Sequence, residues 1–296
     1  KSFGNIKTSL LNNLNIESNP ELHNFDIKNN VKITKGRCID WKSKLNYRAK
    51  KKDSKTTIIF DGNYSRNCGV KEFDLSVLDN NEYFYQIFKK IWNSNGGEFD
   101  GHLDVTYMQG INWQFLYRHT SKPLSVIVRD MNKYSLNLMA RNTMLTVLAE
   151  NTDLLVLESS LNDYVHQWLE KNNLLHKGLF FENGAGLSRK SFLTSEQLLL
   201  LMQKIYYDPF MPEVLASFPI SGIDGTLKRR MKYSSFKIFA HLKTGSMKNV
   251  NAIAGFLLDK NRDMKIFIFI INDKNAKDSQ RFQEALIAEA FKSNLN

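Results

Sequence analysis

The stretch that decides the fold is FKIFAHLKTGSMKNVNAIAGFLLDKNRDMKIFIFII, residues 236–271. It contains three runs rich in Ile, Phe, Val and Leu, separated by two polar clusters, SMKN at 246–249 and DKNRD at 259–263. Short apolar runs between turn-forming residues are typical of β-strands that pair with their neighbours along the chain. The sequence therefore predicts an antiparallel meander of three strands.

The first of these strands ends in Lys243-Thr244-Gly245. Alternate side chains of a strand share a face, so Lys243 and Gly245 point the same way. The lysine places a cation beside the sheet edge, and the glycine lets a second backbone approach closely. The pattern predicts a site for an extended peptide, with the cation and the Thr244 hydroxyl holding its carboxylate. A triplet this short also occurs by chance at solvated strand ends. Whether it marks a binding site therefore depends on other features of the sequence.

Length and composition are those of a globular protein. The chain has 296 residues, of which 42% are hydrophobic and 24% are charged, enough for a sizeable core. No apolar run reaches membrane-spanning length, so we expect no transmembrane segment. The opening KSFGNIKTSLLNN lacks the pattern of a signal peptide, which leaves open a cytosolic chain and a mature or trimmed form.

The charge balance is basic, with 41 Lys and Arg against 30 Asp and Glu and a net charge of +11. Such a balance can indicate a nucleic-acid or anionic partner. Here the basic residues are spread along the chain, and one cluster, RAKKK at 48–52, lies in a segment predicted to be a turn. We attribute the charge to a general richness in Lys and Asn and predict no nucleic-acid binding, with a basic nucleic-acid binder kept as an alternative.

The cysteines and histidines give no metal site. The six histidines lack metal-ligand spacing, and neither Cys38 nor Cys68 has a histidine close in sequence. A bridge between the two cysteines would close a loop of about 30 residues, but buried free thiols stay open at this point. Gly184-Ala185-Gly186 lacks the Gly-Lys-Ser/Thr of a phosphate loop and is interpreted as a turn. We predict no metal and no cofactor.

The pattern along the chain changes near residue 79. Before it, 55–60 is predicted to be a strand followed by a Gly-Asn turn, and residues 1–72 are interpreted as the end of a β-rich module. After it, a helical period runs through 83–92, and 97–108 is predicted to form a strand or hairpin. Further helices are predicted at 122–132, 136–150, 154–174, after a cap at Thr194 or Ser195, and at 277–293. Helices and an antiparallel sheet together indicate an α+β fold.

The junction of the helices at 122–132 and 136–150 contains Ser135-Leu136-Asn137. Residues two apart on a continuous helix point about 200° away from each other. Ser135 and Asn137 can therefore serve one site only if the helix breaks between them, and we predict such a break.

Ser-x-Asn followed later by Lys-Thr-Gly supplies two of the three elements of the active-site serine penicillin-recognising fold, the third being Ser-x-x-Lys. The resemblance extends well beyond the triplets, over roughly residues 30–290. The chain resembles the D-alanyl-D-alanine carboxypeptidase/endopeptidase family typified by penicillin-binding protein 4 (peptidase family S13). The segments that carry the resemblance, in order, are DMNKYSLNLMARNTMLTVL (130–148), ENGAGLSRKSFLTSEQLLLLM (182–202), FPISGIDGTLKRR (218–230) and HLKTGSMKNVNAIAGFLLD (241–259).

The resemblance implies a penicillin-binding/β-lactamase-like transpeptidase fold, an antiparallel sheet with flanking helices plus an all-helical part. Residues 73–296 would form most of this domain, and residues 1–72 would be the remnant of an inserted β-rich module. The segments CIDWKSKL and GNYSRNCG are similar to that module, in which the paired cysteines are often bridged, which implies a Cys38–Cys68 disulfide. The family resemblance also implies export to the periplasm.

The family mechanism would give each motif residue a role. An upstream serine would attack the carbonyl of a D-Ala-D-Ala bond, and water would release the acyl-enzyme. Ser135 would relay a proton to the leaving amine, Asn137 would hold the substrate amide, and Lys243 would supply positive potential. Thr244 would bind the carboxylate, Gly245 would admit the substrate backbone, and the Ser246 N–H would form half of an oxyanion hole. The implied partners are peptidoglycan stem peptides and, for the full-length protein, β-lactams; a homo-oligomer stays open.

One departure from the family concerns the nucleophile. The only Ser-x-x-Lys in the sequence, Ser234-Ser235-Phe236-Lys237, comes after Ser-x-Asn, which is the wrong order. We therefore expect that the chain lacks the N-terminal part carrying the nucleophile and is inactive alone. The alternative is a catalytically inactive, peptidoglycan-binding homologue. The remaining matching residues are interpreted as architecture: Glu182, Gly184, Gly186, Leu187, Ser188, Arg189, Gly222, Asp224, Gly225 and Thr226.

Overall fold

The structure is a computed structural model that describes residues 5–10, 15–105, 114–115, 117–152, 158–174 and 177–293. Packing divides the chain into two compact units, Lys1–Phe115 and Leu116–Asn296. This division falls after residue 115, whereas the boundary inferred from the sequence falls after residue 72. The latter concerns the extent of an inserted module and stays a prediction.

The described part of the first unit contains two three-stranded sheets. One sheet is antiparallel with the order β2-β1-β6, and the other has the order β3-β5-β4, in which β3 runs parallel to β5 and β4 antiparallel to it. The second sheet buries Val31, Ile58, Phe60 and Tyr64 in a common core with Leu75. The strands are β1 (Asn5–Leu10), β2 (Ile16–Asn19), β3 (Phe25–Thr34), β4 (Leu45–Lys52), β5 (Lys55–Ser65) and β6 (Lys71–Ser76).

The strand predicted at 55–60 is confirmed, but the turn predicted after it is wrong. β5 continues through Gly62 and Asn63 to Ser65. The glycine serves a different purpose: a Cβ at Gly62 would lie 2.3 Å from the Lys44 carbonyl oxygen. Gly62 therefore allows the start of β4 to approach closely, and the Asn63 N–H donates to that same carbonyl at 3.0 Å.

The basic cluster at 48–52 was predicted to be a turn and instead lies in β4. Pairing with the long strand β5 overrides the weak strand preference of lysine, because the ladder supplies hydrogen bonds to the backbone whatever the side chains are. Arg48 pairs with Asp61 at 3.0 Å, and Lys51 pairs with Glu82.

The predicted helix at 83–92 is confirmed as α1 (Asn80–Ser94), capped by the Asp79 carboxylate, which accepts from the Glu82 N–H at 2.9 Å. The strand or hairpin predicted over 97–108 is not found in its described part, 97–105; residues 106–108 lie outside the described ranges. This segment packs on α1 instead. The rings of Phe99 and Phe88 lie 5.2 Å apart, and the Tyr85 hydroxyl donates to the Gly101 carbonyl at 2.7 Å.

The second unit contains the predicted meander, which is confirmed as antiparallel with the order β7-β8-β9. Its inner face buries Leu242, Ile253 and Leu257 against Phe236 and Ile287. The strands are β7 (Ala240–Met247), β8 (Val250–Leu258) and β9 (Met264–Asn272), and the described helices are α2 (Leu124–Tyr134), α3 (Asn137–Asn151), α4 (Leu161–Lys171), α5 (Ser195–Tyr206), α6 (Met211–Ser217) and α7 (Gln280–Lys292).

The predicted cap of α5 is confirmed at Thr194, which forms a capping box with Gln197. The helix predicted at 154–174 corresponds to α4, and residues 153–157 lie outside the described ranges. The predicted C-terminal helix at 277–293 is α7, preceded by a short 3-10 turn. Among the described residues, no helix is both long and apolar enough to cross a membrane.

The structure joins Cys38 and Cys68 in a disulfide, the pairing that the resemblance implied. The bond closes a loop of 30 residues, which in the chain-entropy account lowers the free energy of the folded state relative to the unfolded one by roughly 3–4 kcal/mol.

We expect mild reduction of the Cys38–Cys68 disulfide to lower the free energy of unfolding of the first unit by this amount, as measured by urea denaturation with and without reductant. Two reactive thiols in the unreduced, denatured protein would contradict the disulfide.

Candidate active site

The helix break predicted around Ser135 is confirmed. α2 ends at Tyr134 and α3 begins at Asn137. Ser135 lies between them in the left-handed region, with φ 54° and ψ 52°, and the Leu136 N–H closes the helix end by donating to the Met131 carbonyl at 3.0 Å. Because the chain turns at this residue, Ser135 and Asn137 both line one cleft.

A buried lysine fixes the end of α2. The Lys133 ammonium group donates to the Phe218 carbonyl at 3.0 Å and pairs with the Asp224 carboxylate at 2.6 Å, and its side chain is only 11% exposed. The neighbouring Asn132 donates to the Ser217 hydroxyl at 2.8 Å. These contacts tie the last turn of α2 to the end of α6 and to the loop that follows it.

The same loop requires a glycine at 225. A Cβ at Gly225 would lie 2.5 Å from the Lys133 carbonyl oxygen, and the residue has φ +54°. The sequence interpretation of Gly225 and Asp224 as architecture agrees with these contacts, but it missed Lys133. The only signal was a lysine two residues before Ser135, and a partner 91 residues away cannot be read from spacing.

The strand side of the cleft is supplied by β7. The Lys243 ammonium group donates to the Ser135 hydroxyl at 2.8 Å and to the Thr244 carbonyl at 2.7 Å. Burial lowers the pKa of Lys243 below the ordinary lysine value, because the ammonium group has lost part of its hydration. The Ser-x-Asn and Lys-Thr-Gly motifs are therefore in direct contact.

Hydroxyl groups continue the cleft beyond Lys243. The Thr244 and Thr226 hydroxyl oxygens lie 3.1 Å apart, and the exposed Gly245 and Ser246 line the same cleft. Thr226 was interpreted from the sequence as part of a structural turn. Its place beside Thr244 depends on the packing of the loop after α6 against β7, which no local pattern reports.

The loop at 182–191 forms the third wall. The Asn137 side-chain NH₂ donates to the Ala185 carbonyl at 2.6 Å. Gly184 and Gly186, on either side of Ala185, both have positive φ, 65° and 72°, so the predicted tight turn is confirmed.

Polar contacts hold that loop in place. The Ser188 hydroxyl donates to the Glu182 carboxylate at 2.5 Å and accepts from two backbone N–H groups at 2.9 Å. The hydrogen bond from Ser188 lowers the pKa of Glu182, with Lys190 adding to the effect. Arg189 donates to the Lys248 carbonyl at 2.5 Å, so the loop is tied to the β7–β8 turn. These contacts support the interpretation of the segment as architecture.

The cleft enclosed by these walls has a volume of about 350 Å³. It brings together every predicted site residue of the two motifs, and neither Ser234 nor Lys237 lines it. The Ser234 hydroxyl donates to the Met231 carbonyl at 2.8 Å, within a turn ahead of β7. Within the described ranges, no cluster of three His, Cys, Asp or Glu residues could hold a metal ion.

β7 is the edge strand of its sheet, which matters for a peptide ligand. Residues 219–221 cover the first part of this edge, where the Ser221 N–H donates to the Ala240 carbonyl and the Leu242 N–H donates to the Pro219 carbonyl, both at 2.9 Å. The Lys-Thr-Gly part that follows borders the cleft. The cleft beside this uncovered part of β7 offers the Lys243 cation, the hydroxyls of Thr244 and Thr226, and the side-chain amide of Asn137.

The fold is that of the penicillin-binding proteins with an antiparallel sheet and flanking helices. The chain superposes on the crystal structure of penicillin binding protein 4 (dacB) from Haemophilus influenzae, complexed with a novel β-lactam, with a TM-score of 0.73, covering 98% of this chain and 70% of that chain at 22% identity. A second crystal structure of the same Haemophilus protein gives a TM-score of 0.72, covering 98% of this chain and 66% of that chain at 22% identity. At this identity the superpositions establish the fold alone.

Sequence comparison gives the family. Residues 12–292 match the D-Ala-D-Ala carboxypeptidase 3 (S13) family, and the chain belongs to it. Penicillin-sensitive carboxypeptidase A of Dictyostelium discoideum is 25% identical over 250 residues, covering 80% of this chain and 46% of that protein. D-alanyl-D-alanine carboxypeptidase DacB of Haemophilus influenzae is 28% identical over 232 residues, covering 76% of this chain and 48% of that protein. The chain thus spans about half the length of these curated relatives.

The contacts of Lys133 lead to a stability prediction. We expect Lys133→Met to lower the free energy of unfolding by about 2–3 kcal/mol, because it leaves a partly buried Asp224 carboxylate without its cation. The matched control is Lys190→Met, which removes a 3.1 Å pair with Glu182 whose lysine is 75% exposed, and which should cost less than about 1 kcal/mol. Urea denaturation measures both, and equal effects would contradict a special role for the Lys133 pair.

Proposed function

We propose that the cleft is the substrate-binding side of a serine-type D-alanyl-D-alanine carboxypeptidase/endopeptidase site that acts on peptidoglycan peptides. The observation that carries the proposal is the 2.8 Å contact between the Lys243 ammonium group and the Ser135 hydroxyl. This contact joins the broken helix to the edge strand, and both line the same cleft. Family membership supports the proposal, since the relatives named above are carboxypeptidases.

Recognition of the substrate carboxylate falls to β7. The Lys243 cation is half-buried, so its field is less screened by water than that of a surface lysine. The paired hydroxyls of Thr244 and Thr226 supply donors beside it. A carboxylate can accept charge-assisted hydrogen bonds from such a set, and these bonds are stronger than neutral ones. This proposal adds Thr226 to the predicted residues.

Asn137 and the edge of β7 would position the scissile peptide. The Asn137 NH₂ is held by the Ala185 carbonyl, which orients the amide oxygen for a substrate N–H. The substrate would lie along β7, with Gly245 leaving room for its backbone. The Ser246 N–H is proposed as half of the oxyanion hole.

Ser135 is proposed to move the proton. A nucleophilic serine adds to the peptide carbonyl as the lysine of the same Ser-x-x-Lys segment takes the proton of its hydroxyl. The C–N bond then breaks as this proton passes by way of the Ser135 hydroxyl to the leaving D-Ala amine. Water then adds to the acyl ester, the bond to the serine oxygen breaks, and a proton of the water passes to that oxygen by way of the same lysine. Lys243 donates to the Ser135 oxygen, so the hydroxyl proton stays available for the amine. In this proposal the nucleophile belongs to a Ser-x-x-Lys segment outside the 296 residues.

Two further expectations belong to the same proposal. The β-lactam complex of the Haemophilus protein supports β-lactams as ligands of the full-length protein. The Cys38–Cys68 disulfide supports a location in the periplasm or elsewhere in the cell envelope, where such bonds persist. A homo-oligomer stays an untested prediction.

The product of the whole gene tests the function. We expect it to hydrolyse a diacyl-Lys-D-Ala-D-Ala peptide, and we expect Ser135→Ala to lower kcat/KM by about 10²–10⁴-fold, because the leaving amine loses its proton donor. Ser234→Ala is the matched control and should leave kcat/KM unchanged, since Ser234 lies outside the cleft.

Other outcomes decide between the alternatives. Tight binding of the peptide without hydrolysis would contradict the enzyme and would favour the peptidoglycan-binding homologue. A chain of only these 296 residues should not be labelled by a fluorescent penicillin; labelling that is lost in Ser234→Ala would overturn the assignment of the nucleophile.

A further inference from the structure

A second cleft lies in the first unit, at one end of the β3-β5-β4 sheet, and the proposed function does not use it. Its volume is about 280 Å³, and it lies between the loop at 35–44 and the end of β5. Cys68 lines the cleft and is tied to the loop through Cys38. The disulfide therefore limits how far the loop can move away from the sheet.

The charge in this cleft is uncompensated. Three cations line it, Lys35, Arg37 and Lys44, and no carboxylate does. All three are exposed, and none forms an ion pair with another described residue. The loop also carries Asp40, which is exposed and is not among the lining residues. Three like charges around a small cleft raise the local concentration of anions.

The positive charge continues along the outer face of the sheet. β5 buries Ile58, Phe60 and Tyr64 on its inner face. Its outer face carries Asn63 and Ser65, which line the cleft, and Ile59, which is buried. The strand register places six further exposed cations on this outer face: Lys28, Lys32, Arg48, Lys50, Lys52 and Lys55.

Two carboxylates share the outer face, and both are paired. Asp61 lies 3.0 Å from Arg48, and Asp26 lies 2.6 Å from Lys55. Alternate residues of a strand are spaced by about 7 Å. We define the basic strip as the cleft and the part of the outer face next to it, with the cations Lys28, Lys32, Lys35, Arg37, Lys44, Arg48 and Lys50.

The basic strip also offers apolar surface. Trp41 and Ile39 line the cleft, and Ile39 is 63% exposed. A flat apolar surface beside cations suits a sugar ring that carries a negative group. The disulfide bordering the cleft indicates an oxidising compartment, where nucleic acid is not the ordinary polyanion.

We propose that the basic strip binds a linear glycan chain whose repeating units carry carboxylates. The cleft takes the carboxylate and ring of one unit, and the cations of the outer face follow the next units. Binding here would hold the first unit on an anionic polysaccharide, independently of the chemistry in the cleft of the second unit.

The test uses the 296-residue chain and a fluorescein-labelled oligogalacturonate, followed by fluorescence anisotropy. We expect saturable binding that weakens several-fold between about 50 and about 200 mM NaCl, because the contacts are largely ionic. Arg37→Gln with Lys44→Gln should weaken binding by about tenfold, since these two cations line the cleft. A labelled neutral dextran should not bind.

The matched control is Lys274→Gln with Lys277→Gln, two exposed lysines of the second unit, which lowers the net charge equally and should leave the affinity unchanged. Equal weakening by both double variants would overturn the site, because binding would then depend on net charge alone. Double-stranded DNA that binds as tightly at the same salt concentration would overturn the choice of ligand. Absence of any binding to oligogalacturonate would overturn the proposal as a whole. Unchanged thermal unfolding and thiol content of both variants show that they are folded.

Discussion

The buried ammonium group of Lys133 holds the last turn of α2 against the loop after α6, and the candidate site depends on that constraint. Its bonds to the Phe218 carbonyl and the Asp224 carboxylate fix where the helix stops. Ser135 then takes a left-handed conformation, and its hydroxyl meets the Lys243 amine from the opposite element. The buried Lys133 ammonium group needs its carboxylate and carbonyl partners, because an unpaired buried charge is costly. The helix break at Ser135 is therefore fixed by tertiary contacts and is not a frayed helix end.

Much of the fold could be predicted from the sequence, because the relevant signals are local. The meander at 236–271 has apolar runs and turn clusters of ordinary strand length, and the structure confirms it. The cap of α5 at Thr194 depends on residues three apart. The helix break was predicted from the requirement that Ser135 and Asn137 share a face, and the cleft now contains both.

The errors and omissions arose where distant contacts decide the structure. Gly62-Asn63 is typical of a turn in sequence, but here the missing Cβ of Gly62 lets the Lys44 carbonyl approach β5. The cluster at 48–52 was predicted to lie in a turn, but pairing with β5 makes it part of β4. Lys133 and Thr226 acquire their positions from partners far along the chain, which spacing alone does not reveal.

The central claim, that the Lys243 amine is enclosed in a cleft against the helix break, is tested most directly by its titration. The side chain can be followed by ¹³C NMR in protein with labelled lysine and identified as the resonance missing from Lys243→Met. The account predicts a pKa for Lys243 below the ordinary lysine value of 10.5, because burial removes hydration from the ammonium group. A pKa at or above 10.5 would contradict it, because the amine would then lie in open water or beside an unforeseen carboxylate.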